Sequence, residues 1–287
     1  MRRRSGMIGE AAGSNDRAFV QVVSRAFDVM RCFEGPGLVL GNQDICRRTG
    51  LPPSTVSRLT YTLACTGHLS YVPTLQRYRL GAGAIAMSSG LLRGLDLRAM
   101  VRPVMQGLAD LVPGTVGLSV RDQTDMVFLE YARSPQTVGL FSVVGTRVSL
   151  PLSAAGRAYV AGLPASSRNL LLADLDVAMP EPAARLRAWL EHGVAQLDQE
   201  GFVVSCREWH PHINGLAIPL HHAATQSTFV LGIGVLASVY DAGRLCAEVA
   251  PLLLDASVRV GALLNGAPET AFPHQPIPGP SRSAPAP

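Results

Sequence analysis

The sequence predicts an α+β protein of two unequal parts: a small helical module closed by a β-hairpin, and a larger α/β domain, joined by a linker helix. Three observations carry this. Residues 24–80 show the order helix, helix, turn, helix, hairpin. Beyond residue 97, short β-like runs ("GLSVRD", "MVFLEYA", "GLFSVV", "GFVVSC", "LAIPL", "FVLGIGVL") interleave with helical stretches at 98–111, 153–162, 182–200 and 241–264. The charge is also lopsided. Residues 1–80 hold eleven Arg against five acidic side chains, net +6; residues 81–287 hold fourteen against sixteen, net −2.

Residues 1–18 are polar and Gly-rich and read as a disordered arm, with an "RRR" start suited to phosphate. "SRAFDVMRCFEG" (24–35) has helical spacing, with Ser24 as N-cap, Ala26, Phe27, Met30 and Phe33 on the inner stripe, and Gly35–Pro36 as its stop. "GNQDICRRTG" (41–50) is a second helix, capped by Asn42 and ended by Gly50. "LPP" then forces an extended turn, because the residue before a proline is pushed out of the helical region. Pro52 and Pro53 suit the start of the next helix, where backbone N–H groups lack helical partners anyway. That third helix runs to about Cys65, with Gly67 ending it.

On the third helix Val56, Leu59 and Leu63 face inward, which leaves Ser54, Thr55, Ser57, Arg58, Tyr61 and Thr62 to face out or flank. "HLSYV" and "RYRLG" alternate as strands, joined by "PTLQ", so Gln76 and Arg77 stand near a hairpin tip. This order is that of a winged helix-turn-helix. A helix in the DNA major groove approaches closely, so its groove face carries short hydrogen-bonding side chains and an Arg. Early hydroxyls and open N-terminal amides suit phosphate oxygens. Arg58 is the candidate for reading a guanine, Thr55 and Ser57 for phosphate or base edges, and Arg77 for phosphate from the wing. Two blander alternatives fit the same pattern, a solvated helix in a bundle and a docking module on an enzyme.

Composition excludes other classes. With 47% hydrophobic and 16% charged residues, 287 residues can bury two cores. No apolar run reaches bilayer length, and the N-terminus has no apolar segment after its arginines, so the reading is a soluble cytoplasmic protein with no membrane partner. Cys32, Cys46, Cys65, Cys206 and Cys246 form no CxxC pair and read as small buried hydrophobes. "GAGAIA" (81–86) and "GIGVLA" (232–237) match a dinucleotide pattern on paper, but they read as a helix start and a buried strand. His210, His212, His221 and His222 lack metal-ligand spacing and read as exposed. No nucleophile-elbow pattern surrounds Ser153. No cofactor, metal site or catalytic residue is expected.

"SRAFDVMRCF", "LPPSTVSRLTYTLACTGHLSY" and "QRYRLGAGAIAMSSGLL" resemble the IclR family of bacterial transcriptional regulators, in order and spacing. So do residues 97–134, "GTRVSLPLSAAGRAYVAGLP" (145–164), "LDQEGFVVSCREWHPHINGLAIPL" (197–220) and "FVLGIGVLAS" (229–238). The resemblance covers about residues 22–264. It implies a GAF-like effector-binding domain at 97–265 after a winged helix-turn-helix at 19–81 and a linker helix at 82–96. From composition, residues 266–287, with many prolines and little to bury, read as a disordered tail. The resemblance also implies homodimers or homotetramers on a pseudo-palindromic operator, and a small organic effector.

In relatives that bind organic acids the pocket uses amides of a small-residue loop, which falls here at Ala154 and Ala155 before Gly156. An acidic residue, a cysteine and two serines complete it. Those places fall here on Ser205, Gly215, Gly232 and Gly234. Glycine removes both a polar group and volume. Two readings compete: a wider, less polar pocket for a bulkier or aromatic acid, or a domain that has lost its ligand and only dimerises. In the first, Leu140, Phe141, Leu150 and Trp209 join the lining, and Arg207 pairs with a ligand carboxylate.

Overall fold

The computed structural model describes residues 19–34, 37–93, 97–137 and 143–266. The expected N-terminal arm, the Gly35–Pro36 stop, the linker's last residues 94–96 and the tail from 267 lie outside the described residues. The chain divides into two compact units, Met1–Asp96 and Leu97–Pro287. Among the described residues no helix is long and apolar enough to cross a membrane.

In the first unit, α1 (Gln21–Arg31) begins three residues before the expected Ser24 cap, after Val20, with no side-chain cap. Its buried stripe is Ala26, Val29, Met30 and Phe33, and Phe27 is 50% exposed rather than inward. The stripe centres on Val29, and Phe27 lies about 200° around the helix from it. In α2 (Asn42–Thr49) the cap differs as well. The Gly41 N–H donates to Asp44 Oδ2 at 3.0 Å, while Asn42 Oδ1 accepts the buried Thr60 hydroxyl at 3.2 Å. Gly50 ends α2 at φ +68°, a left-handed position suited to glycine.

Next comes α3 (Pro53–Cys65), with Pro at its first position and Val56, Leu59 and Thr60 buried. The wing is β1 (Leu69–Val72) against β2 (Arg77–Leu80), antiparallel. It gains a third backbone partner the sequence did not suggest. Leu40 N–H donates to Tyr78 O at 2.9 Å and Tyr78 N–H returns to Leu40 O at 2.8 Å. Then α4 (Ala82–Arg93) follows, so "GAGAIA" is a helix start.

The second unit has one six-stranded antiparallel sheet, in order β5-β4-β3-β8-β7-β6. Its strands are β3 (Gly114–Asp122), β4 (Asp125–Arg133), β5 (Arg147–Ser149), β6 (Val203–Cys206), β7 (Ile213–His222) and β8 (Ser227–Leu236). On one face lie α6 (Ala154–Ala161), α7 (Ala165–Ala178) and α8 (Pro180–Glu200); on the other lie α5 (Leu97–Leu111) and α10 (Ala250–Leu264). Helix α7 has no counterpart among the helices expected from sequence. "PASSRN" looks like a loop and supplies no cap, and the helix is held by burial of Leu171, Leu172 and Leu175. The expected single helix 241–264 is broken into α9 (Ala242–Arg244), a π turn (Leu245–Val249) and α10. Pro251 explains the break: it has no N–H for the carbonyl four residues back, and a wider turn accommodates it. The expected strand at 139–144 falls mostly outside the described residues; Val143 and Val144 lead into a turn.

The cysteines are less buried than expected. Only Cys32 is buried, and Cys65 is exposed. A buried charge ties α5 to β4: Glu130, 3% exposed, accepts from Arg98 Nε at 2.9 Å and Arg102 at 2.8 Å. Its Oε1 also accepts the Tyr131 N–H at 3.0 Å. Glu130→Gln is expected to cost about 1–3 kcal/mol, because the charge-assisted bonds go while the site stays buried. A urea midpoint unchanged at constant m-value would refute that.

Candidate nucleic-acid interface and ligand cavity

α3 buries a single stripe, so its opposite face is left to solvent. Ser54, Ser57, Arg58, Tyr61 and Thr62 are exposed and Thr55 is half-buried. No carboxylate pairs with Arg58 among the described residues. The Thr62 hydroxyl donates back to Arg58 O at 2.9 Å, which leaves its oxygen as an acceptor toward solvent. Pro52 offers no side-chain cap, so the first-turn N–H groups of Ser54 and Thr55 are open by helix geometry. Hydrogen bonding with the Cys65 thiol raises the Tyr61 pKa above the ordinary phenol value.

The wing stands across a cleft of 390 Å³ from α3, lined by Tyr61, Tyr71, Gln76 and Tyr78. Gln76 makes the tight turn at φ +50°. Arg77 departs from expectation. Its guanidinium donates to Asp44 Oδ2 at 2.7 Å and to Val39 O at 3.3 Å, so it holds the wing onto the start of α2. The Asp44 carboxyl, held below the usual range by the Gly41 N–H and then by Arg47, takes both arginines. Arg79, two residues on and on the same strand face, is exposed, with no such partner among the described residues. The alternation in "RYRL" was the signal that could have found it.

In the second unit, Ser153 caps α6, and its Oγ accepts the Gly156 N–H at 3.1 Å. Ala154 and Ala155, the first two helical residues, line a cavity of about 80 Å³ beneath the helix start, where helix geometry leaves their N–H groups open. The cavity floor comes from strand register. Gly215 lies opposite Gly234, and Gly234 opposite Thr115; one row along, Gly117 lies opposite Gly232, and Gly232 opposite Ala217. Phe128, Val148, Trp209 and Ile213 make the apolar walls. The Phe128 ring lies over Gly117, where a Cβ would stand 3.0 Å from it. Ser205 lines the cavity too, donating to Leu152 O at 2.8 Å, so it has lone pairs but no free proton to offer.

Three expectations change. Gly156 is not a lining residue: a Cβ there would fall 1.9 Å from Leu150 O, so it is a close-packing glycine. Leu150 is fully buried behind the helix. Arg207 is exposed, with left-handed φ +57°, and belongs to a different cleft. Leu140 and Phe141 lie outside the described residues. The buried arginine near the cavity is Arg157, which the sequence reading missed. It stacks on Trp189 at 5.3 Å, lies 3.6 Å from Glu208, and has its pKa lowered by burial. Glu208 also takes Arg185, so the segment that carries Trp209 is tied to α6 and α8. Among the described residues no group of His, Cys, Asp and Glu could hold a metal.

A winged helix-turn-helix with a clear outer helix face, and a sheet domain with a small cavity under one helix start, define the class as a DNA-binding regulator. The comparisons agree. The IclR helix-turn-helix domain matches residues 22–73, and the bacterial transcriptional regulator IclR C-terminal domain matches residues 89–261. The chain belongs to the IclR family of transcriptional regulators. It is 29% identical over 214 residues to the HTH-type transcriptional regulator TsaQ1/TsaQ2 of Comamonas testosteroni, covering 74% of this chain and 76% of that protein. The crystal structure of an IclR family regulator from Brucella abortus superposes with TM-score 0.76 at 29% identity, covering 90% of this chain and 99% of that one. An IclR homolog from Microbacterium hydrocarbonoxydans, complexed with 4-hydroxybenzoate, has TM-score 0.66 at 22% identity, covering 85% and 98%, which shows the shared fold.

The two kinds of glycine are expected to respond oppositely. Gly234→Ala meets only Ile213 at 3.8 Å, so its stability should stay within about 1 kcal/mol of the parent. Gly156→Ala should cost about 2–4 kcal/mol. Thermal denaturation of both variants checks this, and equal losses would contradict it.

Proposed function

We propose that the chain reads a pseudo-palindromic operator with α3 and the wing, as a homo-oligomer, under control of a small carboxylic acid held under α6. The observation that carries the DNA reading is the outer face of α3: hydroxyls, a phenol and an uncommitted Arg58 beside an open helix N-terminus. Ser54, Thr55, Ser57, Tyr61 and Thr62 take phosphate or base edges, and Gln76 and Arg79 approach the backbone from the wing. Arg77 acts mainly by fixing the wing. Self-association is supported by the exposed apolar side chains Phe19, Val20, Val22, Val23 and Phe27 on and before α1.

The effector reading rests on the cavity's chemistry. Open amides of Ala154 and Ala155 suit a carboxylate, and the glycine floor with Phe128 and Trp209 suits a flat apolar body. The 4-hydroxybenzoate held by the Microbacterium homolog is of that class. At 80 Å³ the cavity is smaller than the roughly 150 Å³ that accepts benzene, so Trp209, 40% exposed, swings outward as the ligand enters. Ser205 in place of an acid removes the repulsion a second anionic group would meet.

Arg58→Ala is expected to weaken operator binding by about 1–3 kcal/mol and to relax preference at one base position. Arg79→Ala should weaken all sequences alike and lower the salt slope by about one. Gel-shift titrations over a salt series separate the two, and Arg58→Ala binding at parental strength would remove α3 from the interface. A benzoate-class effector at a hundredfold excess over Kd should stabilise the protein by about 2.7 kcal/mol. A thermal-shift panel of aromatic acids without any rise would favour a constitutive regulator whose second unit only dimerises.

A further inference from the structure

The segment Arg207–His212, between β6 and β7, has two sides. Trp209 and Ile213 face the effector cavity. Arg207, His210, His212 and again Ile213 line a second, open cleft of 710 Å³, closed opposite by Ser238. The two spaces therefore share a wall one segment thick. Among the described residues no carboxylate lines the outer cleft. The segment's one acid, Glu208, is turned away onto Arg157 and Arg185.

The donors of the outer cleft are preset. Backbone bonds tie the segment at both ends: Arg207 N–H to Ile213 O at 3.0 Å, and Ala237 N–H to His212 O at 2.9 Å. His210 Nδ1 accepts the His212 N–H at 3.3 Å, which places the ring proton on Nε2 as an outward donor. The His210 and His212 rings are 5.6 Å apart. Arg207 is exposed and has no carboxylate partner among the described residues. Among the described residues four that are not glycine take positive φ; three are glutamines in hairpin turns, and the fourth is Arg207. Such backbone positions cluster at ligand clamps.

We infer that Arg207, His210, His212 and Ser238 form an anion-binding site for a carboxylate- or phosphate-bearing small molecule, and that it is the outer station on the effector's way into the glycine-floored cavity. The station role rests on the effector reading above; the anion site does not. A guanidinium fork and imidazole N–H groups match either anion, and the unopposed charge of Arg207 concentrates anions at the wall the two spaces share.

The test uses the full chain and Arg207→Gln. Gln is the residue found at the other positive-φ turns, so this variant keeps the backbone. In the first arm, inorganic phosphate is titrated while histidine C2–H resonances are followed by NMR, with His210→Asn and His212→Asn assigning the signals. Both resonances should shift saturably in the parent and stay still in Arg207→Gln; a parent without shifts overturns the anion site. In the second arm, benzoate association is followed by stopped-flow fluorescence in a Trp189→Phe background, which leaves Trp209 as reporter. Association should slow about tenfold in Arg207→Gln and lose its salt dependence, with dissociation unchanged. An unchanged association rate overturns the station while leaving the effector reading intact. Benzoate that never alters Trp209 fluorescence refutes the aromatic-acid effector and the station with it, and the phosphate arm still decides the anion site.

Discussion

The α6-facing centre of the sheet carries almost no side-chain volume, because Gly117, Gly232, Gly234 and Gly215 meet there across three strands. Helix α6 cannot sink to fill the gap. Gly156 already brings it against the Leu150 carbonyl as closely as a backbone allows. The space beneath the helix start is therefore fixed by two backbones, and aromatic side chains close it from the sides. A ligand that fills it covers the apolar walls and meets open amides at one end, so missing volume and ligand affinity share one physical origin.

The first unit solves a different problem, that of exposing one face of a helix without loosening it. Val56 and Leu59 anchor α3 through apolar burial, and Thr60 adds a directional bond to α2. Asp44 then joins the start of α2 to the wing through Arg77. Between them these contacts set the angle of both candidate DNA-reading elements while using none of the outer side chains of α3. The arginine that looked free for DNA fixes the wing, and its strand neighbour Arg79 is left to face solvent.

Electrostatics in the second unit turn on which arginine is buried. Arg157 has left water, stacks on Trp189 and shares Glu208 with Arg185, so its charge is spent inside the protein. Arg207 keeps its charge at the surface. The result is a segment whose acid points inward to structure, whose indole faces the cavity, and whose one arginine faces solvent.

The sequence by itself determined the succession of elements in the first unit, the inward stripe of α3 and the small-residue start of α6. These depend on local rules: helical periodicity, proline at a helix start, glycine at its end, a run of small residues. The sequence could also name Gly215, Gly232 and Gly234 as unusual, because glycine in an apolar strand is costly without a reason. Only the tertiary structure decided that these three and Gly117 form one floor, since that depends on pairing register between strands more than a hundred residues apart. It alone placed Arg207 outside the cavity and Arg157 within the core, and it gave Arg77 to Asp44. A charged side chain's partner is fixed by where distant backbones meet, which no local spacing encodes. For the same reason α7 went unread: it has no cap and a weak pattern, and burial against its neighbours makes it a helix.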